Sequence, residues 1–149
     1  MMEVKGDIWK LWEGGHFIVI PTNGFVKNNG DAVMGRGLAY DAKIKFPKLP
    51  CELGELLREY GNDVFIFRDY RIFTFPVKHN WDEKADIELI KSSAIGLRSL
   101  VALWVRRKSI VPPVYIPRVG CGNGRLDWKD VKPVLDVLLD KNFQVANNE

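Results

Sequence analysis

The sequence is poor in the residues that cross-link chains or hold metal ions. Its only cysteines are Cys51 and Cys121, and its only histidines are His16 and His79. Two isolated cysteines are too few for a disulfide scaffold, and neither pair has the close spacing of zinc ligands. We therefore expect no metal site and no cofactor.

Long apolar runs and a strong excess of one charge are also missing. No run of about 18 apolar residues suits a membrane-spanning helix, so no membrane partner is expected. The opening segment MMEVKGDIWKLW mixes charged and apolar residues and does not resemble a signal peptide, which favours the cytoplasm. The net charge of +3 is mild, but it is compatible with an anionic ligand.

Length and composition predict a single domain over residues 1–149. Hydrophobic residues make up 46% of the chain and charged residues 28%, values that are ordinary for a globular protein. A chain of this size buries most of the surface that its unfolded form exposes. No internal repeat, linker or low-complexity segment divides it.

One stretch, residues 18–39 (IVIPTNGFVKNNGDAVMGRGLA), predicts a strand, a glycine-containing turn and the start of a helix. The apolar run Phe17–Ile20 is short and β-branched, which is typical of a buried parallel strand, and Pro21 should stop it. Glycines at such a junction let backbone N–H groups approach a phosphate, and a helix start adds its positive dipole end. The alternative is an ordinary tight connection. The stretch is not a P-loop, since no Gly-Lys-Ser/Thr follows.

The remaining pattern alternates strands with helices. Strands are predicted at Glu3–Lys5, Val64–Phe67, Ile72–Phe75, Val114–Ile116 and Phe143–Val145. Helices are predicted at Leu38–Phe46, Glu52–Tyr60, Ala85–Val105 and Asp127–Leu139, with a short amphipathic piece around Trp9 and Trp12. Pro47 and Pro50 should break the chain before the second helix. Asp7 is either an N-cap or a carboxylate that reads a ligand, and Asp127 is expected to be an N-cap.

A second glycine-rich loop, Pro117–Leu126, follows the predicted strand Val114–Ile116. In α/β folds ligands bind outside the carboxyl ends of the strands, so two such loops can enclose a diphosphate between them. A Rossmann dinucleotide site fits poorly. Its G-x-G-x-x-G run should follow the first strand, with an acid about 20 residues further on, and neither loop meets that requirement.

Five segments together resemble the macrodomain family and cover nearly the whole chain in the family's order. They are Gly6-Asp7-Ile8, Ile20–Asn23, Ala32–Ala39 (AVMGRGLA), Phe75–Trp81 (FPVKHNW) and Gly120–Trp128 (GCGNGRLDW). The most similar branch contains the terminal ADP-ribose protein glycohydrolase and the antitoxin that removes ADP-ribose from DNA. The resemblance implies a three-layer α/β/α sandwich with a mixed, mostly parallel central sheet. It also implies that the ligand is ADP-ribose.

The resemblance also assigns roles to residues. Asp7 and Ile8 would contact the adenine, Asn23 would lie near the distal ribose, and the two loops would wrap the diphosphate. The full set implied for ligand binding is Asp7, Ile8, Asn23, Val33, Met34, Gly35, Arg36, Gly37, Val119, Gly120, Cys121, Gly122, Asn123, Gly124 and Arg125.

Lys78 is the implied catalytic residue, attacking or stabilising the anomeric carbon of the distal ribose. A lysine can attack only when it is neutral, so its pKa must be lowered by burial or by a nearby cation such as His79 or a loop arginine. The alternative is a solvated lysine at the end of a strand.

The chain departs from the protein-directed branch at Gly124, where that branch has an acid, and so resembles the DNA-directed antitoxin better there. The segment Gly24–Asp31 is longer than in that antitoxin. Two functions therefore stay open. One is an ADP-ribosyl glycohydrolase acting on a DNA base or a protein side chain, with ADP-ribosylated DNA among its partners. The other is a non-catalytic reader of ADP-ribose.

Overall fold

The computed structural model describes residues 1–148, which form one six-stranded sheet flanked by five helices. The strands are β1 (Glu3–Lys5), β2 (Ile18–Asn23), β3 (Ile66–Phe67), β4 (Ile72–Lys78), β5 (Val114–Ile116) and β6 (Phe143–Asn147). The helices are α1 (Ile8–Glu13), α2 (Gly37–Lys45), α3 (Leu49–Tyr60), α4 (Ile87–Arg106) and α5 (Trp128–Leu138).

The sheet has the order β1-β6-β5-β2-β4-β3 and is parallel except at β3, which is antiparallel to β4. Its two faces carry separate apolar cores. In β2, Val19 packs on the side of α4 and α5, whereas Ile18 and Ile20 pack on the side of α1, α2 and α3. Alternation along a central strand thus serves both layers. The predicted three-layer α/β/α sandwich with a mixed, mostly parallel sheet is confirmed.

Several predicted boundaries were wrong, and prolines explain most of them. Helix α3 begins at Leu49 rather than Glu52, because Pro50 occupies its first turn, where a missing N–H leaves no helical bond unmade. Strand β2 continues through Pro21 to Asn23. Strand β4 likewise continues through Pro76 to Lys78. Within residues 1–148, β2 pairs with β5 around Ile18 alone, so its later part has a strand neighbour on the β4 side only.

The other elements lie close to their predicted places. The expected hairpin forms between β3 and β4, and its turn is a 3-10 helix at Arg68–Tyr70. Helix α4 starts at Ile87 with Asp86 as its N-cap, two residues after the predicted start. No helix in the described part of the chain is both long and apolar enough to span a membrane.

Candidate functional site

A cleft of about 420 Å³ opens at the carboxyl ends of the neighbouring strands β5, β2 and β4. The ends of β2 and β4 form one wall, and the two glycine-rich loops that follow β2 and β5 form the other. The lining residues are Pro21, Thr22, Asn23, Val33, Gly35, Arg36, Gly37, Leu38, Ala39, Val77, Lys78, Trp81, Pro117, Arg118, Gly120, Gly122, Asn123 and Gly124. This is the edge of an α/β sheet at which ligands usually bind.

A second cavity of about 640 Å³ adjoins the cleft and continues toward β1 and β6. It is lined by Gly6, Asp7, Ile8, Trp9, Leu38, Asp41, Pro117, Arg118, Cys121, Gly122, Leu126, Asp127, Trp128, Ala146, Asn147 and Asn148. Leu38, Pro117, Arg118 and Gly122 border both spaces. An elongated ligand can therefore lie across both, with its middle section between the loops.

The first glycine loop delivers the N-terminus of α2 to the cleft. Gly37 begins the helix at φ +59°, a left-handed conformation that favours glycine. Arg36 occupies the N-cap position without a side-chain capping bond, and the first turn contains no acid. Backbone N–H groups at this helix start are thus without a side-chain acceptor, and together with the dipole they suit an anion.

The second loop is tighter and also requires glycine. Gly120 has φ +78°, and the Leu126 N–H donates to its carbonyl at 2.9 Å, which closes the loop. A Cβ on Gly124 would lie 2.4 Å from the carbonyl oxygen of Gly120 and 2.8 Å from Cβ of Ala85. This backbone therefore leaves no room for a side chain at 124, so the acid of the protein-directed branch does not fit here.

Asp7 has the first of its two predicted roles, that of an N-cap, and it also borders a cavity. It is the N-cap of α1, where Oδ1 accepts a hydrogen bond from the Trp9 N–H at 3.0 Å. It also borders the second cavity beside the buried side chain of Ile8. Because one carboxylate oxygen can accept more than one hydrogen bond and the second oxygen is also available, capping leaves capacity for a ligand donor.

Lys78 is brought to the cleft by a β-bulge. Thr22 lies opposite Pro76, but Asn23 lies opposite Lys78, so β4 carries one extra residue at Val77. The Lys78 Nζ donates to the carbonyl oxygens of Asn123 at 3.1 Å and Trp81 at 3.5 Å. The amine is thereby held between the end of β4 and the second loop.

The surroundings of Lys78 lower the pKa of its amine. Partial burial lowers the pKa of Lys78 below its ordinary value, and the positive charge of Arg125 and then that of Arg36 lower it further. Asp82 acts in the opposite direction. The loop arginines thus have the predicted effect. His79 does not contribute to this shift, and its ring instead pairs with Asp86 at 2.9 Å.

Two arginines in or beside the cleft are without a carboxylate partner among the described residues. Within residues 1–148, Arg36 and Arg125 form no ion pair with a carboxylate. Arg118 differs, since it pairs with Glu3 at 2.7 Å. No group of three metal-binding side chains occurs in the same described range. The cleft therefore suits an anion held by backbone and guanidinium groups.

Most of the predicted binding residues line one of the two spaces, but three do not. Met34, 2% exposed, and Val119 are buried in the two cores, and Arg125 is near Lys78 without lining either space. Cys121 lines the second cavity, and burial raises the pKa of its thiol. Sequence reasoning left out Trp81, although it ends the motif that contains Lys78.

Asn62 is a further residue that the sequence analysis left out. Its Nδ2 donates to the carbonyl oxygen of Lys78 at 3.0 Å. Gly24 permits this contact, because a Cβ there would lie 2.8 Å from Cγ of Asn62, and the Gly24 N–H donates to the carbonyl oxygen of His79. Asn62 and Gly24 together hold the end of β4 in place. No local sequence signal marks this contact, which depends on the meeting of three separate segments.

Comparisons with known sequences and with solved structures find the same group of proteins. No family model matches the chain. It is 30% identical to the DNA ADP-ribosyl transferase-DNA ADP-ribosyl glycohydrolase fusion protein of Thermosipho africanus. The alignment is 140 positions long and covers 78% of this chain and 35% of that relative.

Two solved structures agree with this match. The macrodomain of Thermus aquaticus DarG superposes with a TM-score of 0.66 at 27% identity, covering 100% of this chain and 98% of that one. Thermosipho africanus DarTG in complex with ADP-ribose superposes with a TM-score of 0.69 at 22% identity, covering 89% of this chain and 38% of that one.

Proposed function

The chain belongs to the macrodomain family, and on that basis we propose that it binds ADP-ribose and hydrolyses it from a modified macromolecule, with ADP-ribosylated DNA as the first candidate. The observation that carries the proposal is the pair of glycine loops at adjacent strand ends, with Lys78 beside them. A DNA ADP-ribosyl glycohydrolase activity in the similar fusion protein and an ADP-ribose complex among the neighbours support it. The cytoplasmic location and the single domain stay predictions.

The shape of the paired cavities fits the parts of ADP-ribose. The adenosine end would occupy the larger cavity, where the Asp7 carboxylate can accept from the adenine amino group beside Ile8. The diphosphate would cross near Gly122, which borders both spaces, and meet backbone N–H groups of both loops. The distal ribose would then lie in the smaller cleft with Asn23 and Lys78.

The chemistry assigned to Lys78 is displacement at the anomeric carbon of the distal ribose. The neutral amine forms a bond to that carbon while the bond to the acceptor breaks, and the electron pair leaves with the acceptor, which takes up a proton. Water then releases ADP-ribose from the lysine. The lowered pKa of Lys78 raises the neutral fraction that this step requires.

A reader function is the second candidate, and one observation favours it. The Lys78 Nζ donates to two backbone carbonyls, an arrangement that also suits a charged lysine with a structural role. A reader would bind ADP-ribose and leave its bond to the acceptor intact.

Replacing Lys78 distinguishes the two functions. We expect Lys78→Ala to lower kcat on an ADP-ribosylated oligonucleotide by at least about 100-fold, while calorimetric binding of ADP-ribose persists. Lys78→Arg should be equally inactive, because a guanidinium stays protonated. Lys84→Ala, in the exposed turn nearby, is the matched control and should keep its activity.

Two results would count against the hydrolase. Unchanged turnover in Lys78→Ala would show that Lys78 does not carry out the assigned reaction. If the unaltered protein binds ADP-ribose but shows no turnover, the reader function is the one that stands. AMP and NAD serve as ligand controls. If ADP-ribose does not bind better than they do, the proposal fails as a whole.

A further inference from the structure

Trp81 is a large aromatic side chain that the fold leaves exposed at the end of the cleft that contains Lys78. It is 51% exposed, although it lines the same cavity as Lys78. Single exposed aromatics are common on protein surfaces, so exposure alone carries no argument. Any role of Trp81 depends on its position relative to the reacting carbon.

The acceptor must lie on the Lys78 side of the distal ribose, away from the diphosphate. The cleft residues that belong neither to a glycine loop nor to helix α2 are Pro21, Thr22, Asn23, Val77, Lys78 and Trp81. Among these six, Trp81 alone has an exposed side chain. Its carbonyl oxygen lies 3.5 Å from Nζ of Lys78, so the main chain of Trp81 lies directly beside the reacting group.

The turn that carries Trp81 is tied down at several points. The Trp81 N–H donates to Oδ1 of Asn80 at 2.8 Å, and the ring of His79 pairs with Asp86 at 2.9 Å. The Ala85 N–H donates to the carbonyl oxygen of Gly124 at 2.9 Å, which fastens the turn to the second loop. The backbone position of Trp81 is therefore fixed while its ring stays open to solvent.

We propose that Trp81 is a specificity-determining residue whose indole stacks on the acceptor and selects an unpaired nucleobase. This inference rests on the proposed function. An indole offers a flat apolar face, which matches the face of a base and gives little to a charged carboxylate without a polar partner. Asp82 and Glu83 are exposed beside it and repel the phosphates of a nucleic-acid chain. Trp81 would therefore contact a base and not the phosphate backbone.

Binding measurements with protein carrying Lys78→Ala test this without hydrolysis. The probes are free ADP-ribose, a single-stranded oligonucleotide ADP-ribosylated on one base, and a peptide ADP-ribosylated on a glutamate. Adding Trp81→Leu should weaken oligonucleotide binding by about 5- to 150-fold, the worth of one stacked base. Binding of free ADP-ribose and of the peptide should stay within about twofold, since neither loses a stacked base. Trp81→Phe should restore most of the loss.

Two controls isolate stacking from folding and from charge. Tyr60→Leu removes another exposed aromatic, 64% exposed and lining neither cavity, and should change no affinity. The effect of Trp81→Leu should be equal at about 50 and 200 mM salt, because it involves no phosphate contact. Thermal unfolding of each variant confirms that it is folded.

Each contrary result has its own meaning. Unchanged oligonucleotide binding in Trp81→Leu, with ADP-ribose still bound, overturns the role of Trp81 and leaves the ADP-ribose site standing. An equal loss for the peptide overturns the choice of a nucleobase. Failure of every probe, including free ADP-ribose, overturns the proposed function and this inference with it.

Discussion

At the scale of single residues, the ionisation of Lys78 connects the electrostatics of the cleft to its chemistry. In the proposed reaction the amine acts only when it is neutral, so kcat/KM should rise with pH, and the lowered pKa shifts that rise to lower pH than for an ordinary lysine. Arg125→Gln removes a positive charge that disfavours the ammonium. The pKa of Lys78 then increases, and the rise in the pH profile should move to higher pH.

Arg106→Gln is the matched control for this pH experiment, since Arg106 lies at the C-terminus of α4 and does not influence Lys78. Its profile should coincide with that of the unaltered protein. A midpoint that stays in place in Arg125→Gln, or moves to lower pH, would contradict the assignment of Lys78 as the titrating group.

How far the sequence could predict the site depends on how local each signal is. The two glycine loops could be predicted to meet, because a strand-to-helix turn is read from neighbouring residues and parallel strands end at one edge. The contact of Asn62 with Lys78 could not, because it joins residues 16 positions apart through the end of α3. The pairing of Arg118 with Glu3 joins residues 115 positions apart and carries no local pattern either.

At the scale of elements, one helix glycine is required by a close backbone approach and another is not. A Cβ on Gly54, in α3, would lie 1.9 Å from the carbonyl oxygen of Gly30, in the segment that follows β2. A Cβ on Gly96, in α4, would first meet Val64 Cγ2 at 3.7 Å, an ordinary contact. The two glycines form a matched pair inside helices.

We expect Gly54→Ala to lower the free energy of unfolding by at least about 1–3 kcal/mol, because backbone must move to admit the methyl group. Gly96→Ala should raise it by about 0.5–1 kcal/mol, since alanine is the better helix former. Urea denaturation of both variants measures the difference. Equal changes of the same sign would show that α3 does not lie as close to Gly30 as described.

At the scale of the elements, proline was also the main source of wrong boundaries. The sequence predicts strands that end before Pro21 and Pro76 and a chain break at Pro50, but Pro21 and Pro76 lie within β2 and β4, and Pro50 lies in the first turn of α3. Whether a missing N–H matters depends on the neighbouring strand or on the position within the helix. Neither can be known before the fold is assembled.

At the scale of the whole molecule, ADP-ribose would contact groups on both sides of the short β2–β5 pairing and so stabilise the sheet across it. At a concentration 100 times its Kd, a ligand that binds only the folded state adds about 2.7 kcal/mol of stability. For a chain of this length we expect Tm to rise by about 5–10 °C. Scanning calorimetry with and without ADP-ribose measures it, with AMP at equal concentration as the comparison. An unchanged Tm at saturating ADP-ribose would contradict the proposal.

The two adjoining cavities also make this protein a suitable target for fragment-based inhibitor design. Each cavity can accept a small compound of its own, and Gly122, which borders both, presents no side chain between them. Joining two weak fragments by an uncharged linker past Gly122 makes the second binding event intramolecular, at an effective concentration in the millimolar range. An inhibitor built in this way would not need the diphosphate, whose charge keeps nucleotides out of cells.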